Sequence, residues 1–214
     1  MGFGVWTFDY SKRQVVLRGH GWHPPKDAHK TLLGLKRLPS GINGGWPRII
    51  IRVDGEELNM LLDTGATSKP TAQALKEDPR STTDGMGVGS YIDESTMARW
   101  RRKHPEWKVV DNGDALIPGF SRIIRVPHVE VAGWDVGPVW FIERPDSAFH
   151  TMMASLMDEP PEGSVGANVF EHFRMTIDYK KKAAWFECAS ECSASSVPAP
   201  QKIRLKGGVD HIAH

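Results

Sequence analysis

Asp63, Thr64 and Gly65 lie midway along the stretch NMLLDTGATSKP (Asn59–Pro70), in which three apolar residues run straight into an acid, a hydroxyl and a glycine. A carboxylate fixed at such a point can take a proton from a water or return one. Two of them a few ångströms apart do both at once, one ionised and one protonated, because like charges that close cannot both ionise and the pair shares a proton. The arrangement works only on rigid strand-end turns, since a loose carboxylate loses the geometry that activates a single water. Gly65 suits a turn where backbone approaches closely, and its N–H can face the carboxylate. A lone aspartate has a plainer use as well: it can close a turn by accepting hydrogen bonds from nearby N–H groups.

The residues around this point read as mostly β. Twenty-one glycines and fifteen prolines punctuate short runs rich in Val, Ile, Phe and Trp. Strands are expected over Val5–Tyr10, Gln14–Leu17, Arg48–Val53, Glu57–Leu62, Arg122–Gly133, Val136–Ile142, Phe173–Tyr179 and Ala183–Glu187. Asp54-Gly55, between two apolar runs, is a strong hairpin signal that leads directly into the Asp63 stretch. Three stretches read as helix. SKPTAQALKE offers Ser68 as N-cap, DESTMARWRRKH starts at Asp93 with Met97 and Trp100 on one face, and SAFHTMMASLMDE carries an apolar stripe of Phe149, Met152, Met153, Leu156 and Met157 that reads as core. WTFDYSKRQVVL (Trp6–Leu17) and MTIDYKKKAAWF (Met175–Phe186) share Thr-apolar-Asp-Tyr, a basic turn and an apolar strand. Either both are ordinary hairpins, or the chain opens with the last hairpin of one structural repeat and then holds a second repeat whole.

Composition bounds the partners. With 214 residues, 40% hydrophobic and 25% charged, the chain suits one domain of ordinary size or one domain carrying an extra segment. Boundaries are expected at 1–45 for an N-terminal hairpin and linker, 46–188 for the main domain and 189–214 for a Ser/Pro/Ala-rich tail. A formal net charge of +1 supplies no basic field for nucleic acid and no polybasic membrane patch. No apolar run approaches the roughly 20 residues of a membrane span, and MGFGVWTFDY lacks the charged head and apolar core of a signal peptide.

Other clusters are weaker. His20, His23 and His29, and His211 with His214, lack the HExxH or paired-cysteine spacing of a metal site, so no metal or cofactor is expected. Cys188 and Cys192 are too few for a disulfide framework and could be joined or free. ARWRRKHPEWK reads as a solvated helix face with Trp100 and Trp107 packing inward. No Gly-x-Ser-x-Gly elbow and no phosphate-binding loop is present.

The triplet, its apolar lead MLL and the later stretch GSVGANVF, which begins at Gly163, together resemble the retropepsin-like aspartic proteases, the single-domain relatives of pepsin. The resemblance covers about Ile49–Glu187. It implies an all-β fold, a closed pepsin-like β-barrel lobe with a few inserted helices. It also implies that Asp63 is catalytic, that Thr64 and Gly65 support it, that Ala66 and Thr67 border the pocket, and that Val165 and Gly166 pack behind the loop. STTDGMGVGSY, with Gly85, Gly87 and Gly89, is the candidate for the family's flap, or else a plain surface loop; FEHFRMTIDYKKKAAWFE is similar to the closing hairpin.

Such an enzyme would hydrolyse peptide bonds without a covalent intermediate, on a protein or peptide substrate, in a periplasmic or secreted setting. It needs a second aspartate. The segments around Asp84, Asp111 and Asp146 each break the pattern, so the partner is expected from a symmetric homodimer, or alternatively from an upstream lobe. The rival expectations are an inactive peptide-binding or dimerisation module on the same fold, and a structural or metal-binding β-domain in which Asp63 only closes a turn.

Overall fold

The computed structural model describes residues 4–195 apart from 20, 42 and 81; beyond Ser195, the expected tail and the histidines at 211 and 214 lie outside the described residues, as does His20. In chain order the strands are β1 (Val5–Asp9), β2 (Gln14–Arg18), β3 (His29–Leu32), β4 (Gly34–Arg37), β5 (Asn43–Val53), β6 (Glu56–Leu62) and β7 (Thr67–Ser68). Helix α1 (Ala72–Glu77) precedes β8 (Gly87–Val88) and β9 (Ser90–Asp93), and α2 (Glu94–Lys103) precedes β10 (Val109–Asp114), β11 (Ser121–Val126), β12 (Val129–Val131), β13 (Trp134–Val136) and β14 (Val139–Arg144). The described residues end with β15 (Gly163–Val165), the short α3 (Ala167–Phe170), β16 (Phe173–Asp178), β17 (Ala183–Cys188) and β18 (Ser193–Ala194).

The fold is mostly β, in two main sheets. One runs β2-β1-β16-β17-β3, so strands from both ends of the chain share it. The other runs β10-β11-β14-β9-β15-β6-β5-β12-β13-β18, with β4 on β5. Among the described residues β10 and β18 remain its ends, and no pair closes it into a barrel. The alternation of buried positions explains the packing: Ile49 and Ile51 of β5 and Leu58, Met60 and Leu62 of β6 enter one core cluster with Phe141, Val165, Phe170 and Phe186. No helix among the described residues is long and apolar enough to cross a membrane.

Local chemistry sets the corners. Asp54 and Gly55 both take positive φ (48° and 78°), the two-residue turn that joins β5 to β6 without splaying them. The run expected as one strand over Arg122–Gly133 is two, β11 and β12, parted at Pro127, which has no N–H for a ladder. Ala132 and Gly133, also at positive φ, then turn β12 back onto β13.

Helix starts differ from expectation in one place. Thr71, and not Ser68, caps α1 by accepting from the Ala74 N–H, while Ser68 lies in β7 and donates to the Val88 carbonyl. Asp93 caps α2 as expected, accepting from Thr96 N–H at 2.7 Å, and Met97 and Trp100 are buried. The third helical stretch is a π-helix over Ala148–Met153 followed by a 3-10 turn. Its wider winding breaks the apolar stripe: Phe149 and Met157 are buried, whereas Met152 and Leu156 are 57% and 40% exposed.

Candidate active site

Asp63 leaves the end of β6 beside β15. The two strands run parallel with Leu62 opposite Val165, and the Asp63 N–H donates to the Val165 carbonyl at 2.9 Å. A tight turn follows. The Gly65 N–H donates to Asp63 Oδ1 at 3.0 Å, and the Ala66 N–H donates to the Asp63 carbonyl at 3.4 Å. Asp63 and Thr64 are half-buried, Ala66 is buried, and Gly65 and Thr67 are exposed.

Burial raises the Asp63 carboxyl above the ordinary aspartate range, with the Gly65 and Ala66 N–H groups pulling back. Tyr10 lies within its electrostatic reach. Burial first, and the Asp63 charge second, push the Tyr10 phenol up, and the Tyr10 hydroxyl has no hydrogen-bond partner among the described residues.

The turn rests on a floor of small residues. The Gly89 N–H donates to the Ala66 carbonyl at 3.2 Å, and Gly166 lies against both: a Cβ on Gly166 would come 1.8 Å from the Gly89 carbonyl oxygen and 2.8 Å from the Ala66 Cβ. Two buried polar side chains hold that floor. Ser90 Oγ accepts from the Gly166 N–H at 2.9 Å and donates to Asn168 Oδ1 at 2.6 Å, while Asn168 Nδ2 donates to the Trp140 carbonyl at 3.0 Å. Ser90 and Asn168 are absent from the sequence-level candidates. Their signal was adjacency alone, one following Gly89 and the other two residues beyond Gly166.

Gly65 behaves otherwise. Among the described residues, its chain neighbours aside, a Cβ there would meet only Asp63 Oδ1, at 3.6 Å, so the expected close backbone approach is not made by these residues.

The strand leaving the turn carries the glycine-rich stretch with it. β7 pairs with β8, Thr67 opposite Val88 and Ser68 opposite Gly87, and the Tyr91 hydroxyl donates to the Thr67 carbonyl. Just before β8 the chain makes a tight turn. Thr83 and Met86 exchange backbone hydrogen bonds across Asp84 and Gly85, both at positive φ. Gly85 is thus the tip of this hairpin, Gly87 its arm and Gly89 its base against Ala66.

Lys69, just past β7, is anchored by Asp114. Its N–H donates to Asp114 Oδ2 at 2.7 Å, and buried Asp114 also receives Arg144 Nη2 at 2.9 Å. On its other side the turn borders an open pocket lined by Leu62, Thr64, Trp6, Phe8, Pro47, Ile177 and Tyr179.

The remaining candidates stay apart from Asp63. Asp84 sits in the hairpin tip, Asp111 is exposed on β10, and Asp146 accepts from the N–H and hydroxyl of Ser95 at the start of α2. The causes that shift the Asp63 carboxyl include no neighbouring acid. Cys188 and Cys192 are joined in a disulfide. Among the described residues no group of three or more His, Cys, Asp or Glu could hold a metal ion. Trp100 packs edge-on against Trp107 and Phe141, as an inward aromatic face would.

The chain is similar to the crystal structure of a retropepsin-like aspartic protease from Rickettsia conorii. The TM-score is 0.42 and 10% of residues are identical, over 77% of this chain and 95% of that one. No family model and no curated protein matches it. Function has to come from the site itself.

Proposed function

We propose that the chain is a retropepsin-like lobe that works as half of an aspartic endopeptidase. Asp63 would supply one carboxylate of a pair, and a second subunit or lobe the other. The observation that carries the reading is the state of Asp63: a half-buried carboxyl, raised by desolvation and oriented by the Gly65 N–H, on a turn whose floor admits no side chain at Gly166. A carboxyl that only closed a turn would be held ionised by its donors; here burial is the larger cause.

In the mechanism that follows, a water lies between Asp63 and the partner carboxyl. The ionised member takes a proton from the water as it attacks the peptide carbonyl, and the protonated member donates to the carbonyl oxygen. Collapse of the tetrahedral intermediate then returns a proton to the leaving amine. No covalent enzyme intermediate forms. In this reading Thr64 and Gly65 position Asp63, Ala66 and Thr67 border the substrate, and the Thr83–Met86 hairpin would serve as the flap.

Digestion of a peptide library in ¹⁸O-water tests this. One ¹⁸O in each new carboxyl terminus, with no mass adduct on the protein, is expected. An assembled form with two such carboxylates that cleaves no peptide would leave the second reading, a peptide-binding or dimerisation module on the same turn.

A further inference from the structure

The chain contains one hairpin twice. With an offset of 169 residues, Thr7 corresponds to Thr176, Asp9 to Asp178, Tyr10 to Tyr179 and Arg13 to Lys182. The two copies turn alike. Asp9 Oδ1 accepts from the Lys12 N–H at 3.1 Å and Asp178 Oδ1 from the Lys181 N–H at 3.0 Å, while Arg13 and Lys182 take φ of 53° and 48°.

They also pair with each other. β1 and β16 are antiparallel with Thr7 opposite Thr176, so each residue of the central pair faces its own counterpart, and their hydroxyls meet at 2.8 Å. A local twofold axis therefore passes through this pair. It maps Val15 and Leu17 of β2 onto Ala184 and Phe186 of β17.

What covers the two halves differs. Ala184 and Phe186 are 0% exposed beneath the body of the chain, whereas Val15 and Leu17 on the same face are each 59% exposed. The edges differ too. β17 carries β3 on its outer side, but among the described residues nothing pairs with β2 beyond β1.

We infer that the Val5–Arg18 hairpin is the closing hairpin of a second lobe of this same architecture, one without a closing hairpin of its own. That lobe would cover Val15 and Leu17 and lay a strand like His29–Leu32 along the β2 edge. A second copy of this chain does not fit the place, because its own Phe173–Cys188 hairpin would have to occupy the position that Val5–Arg18 already fills. The axis also says what the lobe would touch. Tyr10 lies within reach of Asp63; its counterpart Tyr179 lines the pocket beside Thr64 and falls next to the lobe's equivalent of Asp63. That this equivalent is a catalytic acid rests on the endopeptidase reading; the seat on the hairpin does not.

The test is a tandem chain in which residues 29–172 are placed ahead of Gly4 of the full chain, so that β1 follows the added lobe as β16 follows residue 172. Val15→Cys and Leu17→Cys supply thiol probes in a chain whose cysteines are otherwise paired. Maleimide should label both readily in the full chain and at least tenfold more slowly in the tandem. A reference tandem carries Arg174–Phe186 in place of Val5–Leu17. Equal labelling in chain and tandem overturns the inference, whether or not the reference protects its probes.

Cleavage is scored separately. Protection without peptide cleavage keeps the docked lobe and removes the endopeptidase reading; cleavage without protection keeps that reading and removes this lobe.

Discussion

Gly166 sits under Gly89 with no space for a methyl group, 1.8 Å separating a would-be Cβ from the Gly89 carbonyl oxygen. Because the obstacle is backbone, no rotamer change relieves it. Gly166→Ala should therefore lower stability by about 3 kcal/mol or more, at or above the usual cost of overpacking. Urea unfolding measures this, and a loss below about 1 kcal/mol would show that the floor of the Asp63 turn is not rigid.

Gly65 gives the opposite pattern. Its nearest obstacle is Asp63 Oδ1 at 3.6 Å, ordinary contact, so Gly65→Ala should change stability by no more than about 0.5 kcal/mol, as an exposed substitution does. On the endopeptidase reading cleavage should still fall at least tenfold, because the added methyl would face the incoming substrate and partner. Unchanged kcat/KM would remove Gly65 from the site.

The raised Asp63 carboxyl fixes the sign of a pH effect. The folded chain binds this proton more tightly than the unfolded chain, whose aspartate has the ordinary value of 3.8. Stability contributed by the protonated form is complete below that value and is lost as pH rises through the higher folded one. Asp63→Asn should thus raise Tm at neutral pH, and the gain should vanish below about pH 4. A gain that grew on acidification would mean that the folded carboxyl is lowered instead.

Arg144 and Asp114 form the buried pair that steadies the strand leaving the turn, with Asp114 also receiving the Lys69 N–H. Arg144→Leu strands that carboxylate in the interior and should cost about 3–5 kcal/mol. Asp114→Asn in the same chain should recover part of the loss, since a neutral amide is cheaper to leave unpaired. Additive losses in the double variant would mean that the two side chains act separately.

Much of this was legible in the residues, for physical reasons. The Asp54-Gly55 turn and the Asp93 cap are local signals, and both appear at those positions. The break at Pro127 is a local signal too, since proline has no N–H for the ladder, although it is embedded in an apolar run. Other features are long-range. Ser68 joins a strand because Gly87, nineteen positions on, offers it a partner, and nothing in SKPTAQALKE announces that. Ser90 and Asn168 become neighbours only when β9 and β15 align. The echo between Trp6–Leu17 and Met175–Phe186 was visible as a pattern, while the pairing of its two copies across Thr7 and Thr176 required the sheet.

The central claim is that the Asp63 carboxyl activates water for peptide hydrolysis. The most direct measurement compares kcat/KM for a cleaved peptide between the assembly that cleaves and the same assembly carrying Asp63→Asn, with circular dichroism confirming that both are folded. The account predicts a drop of about a thousandfold or more, the scale on which general acid–base groups act. Retained cleavage in the folded Asp63→Asn protein would contradict it.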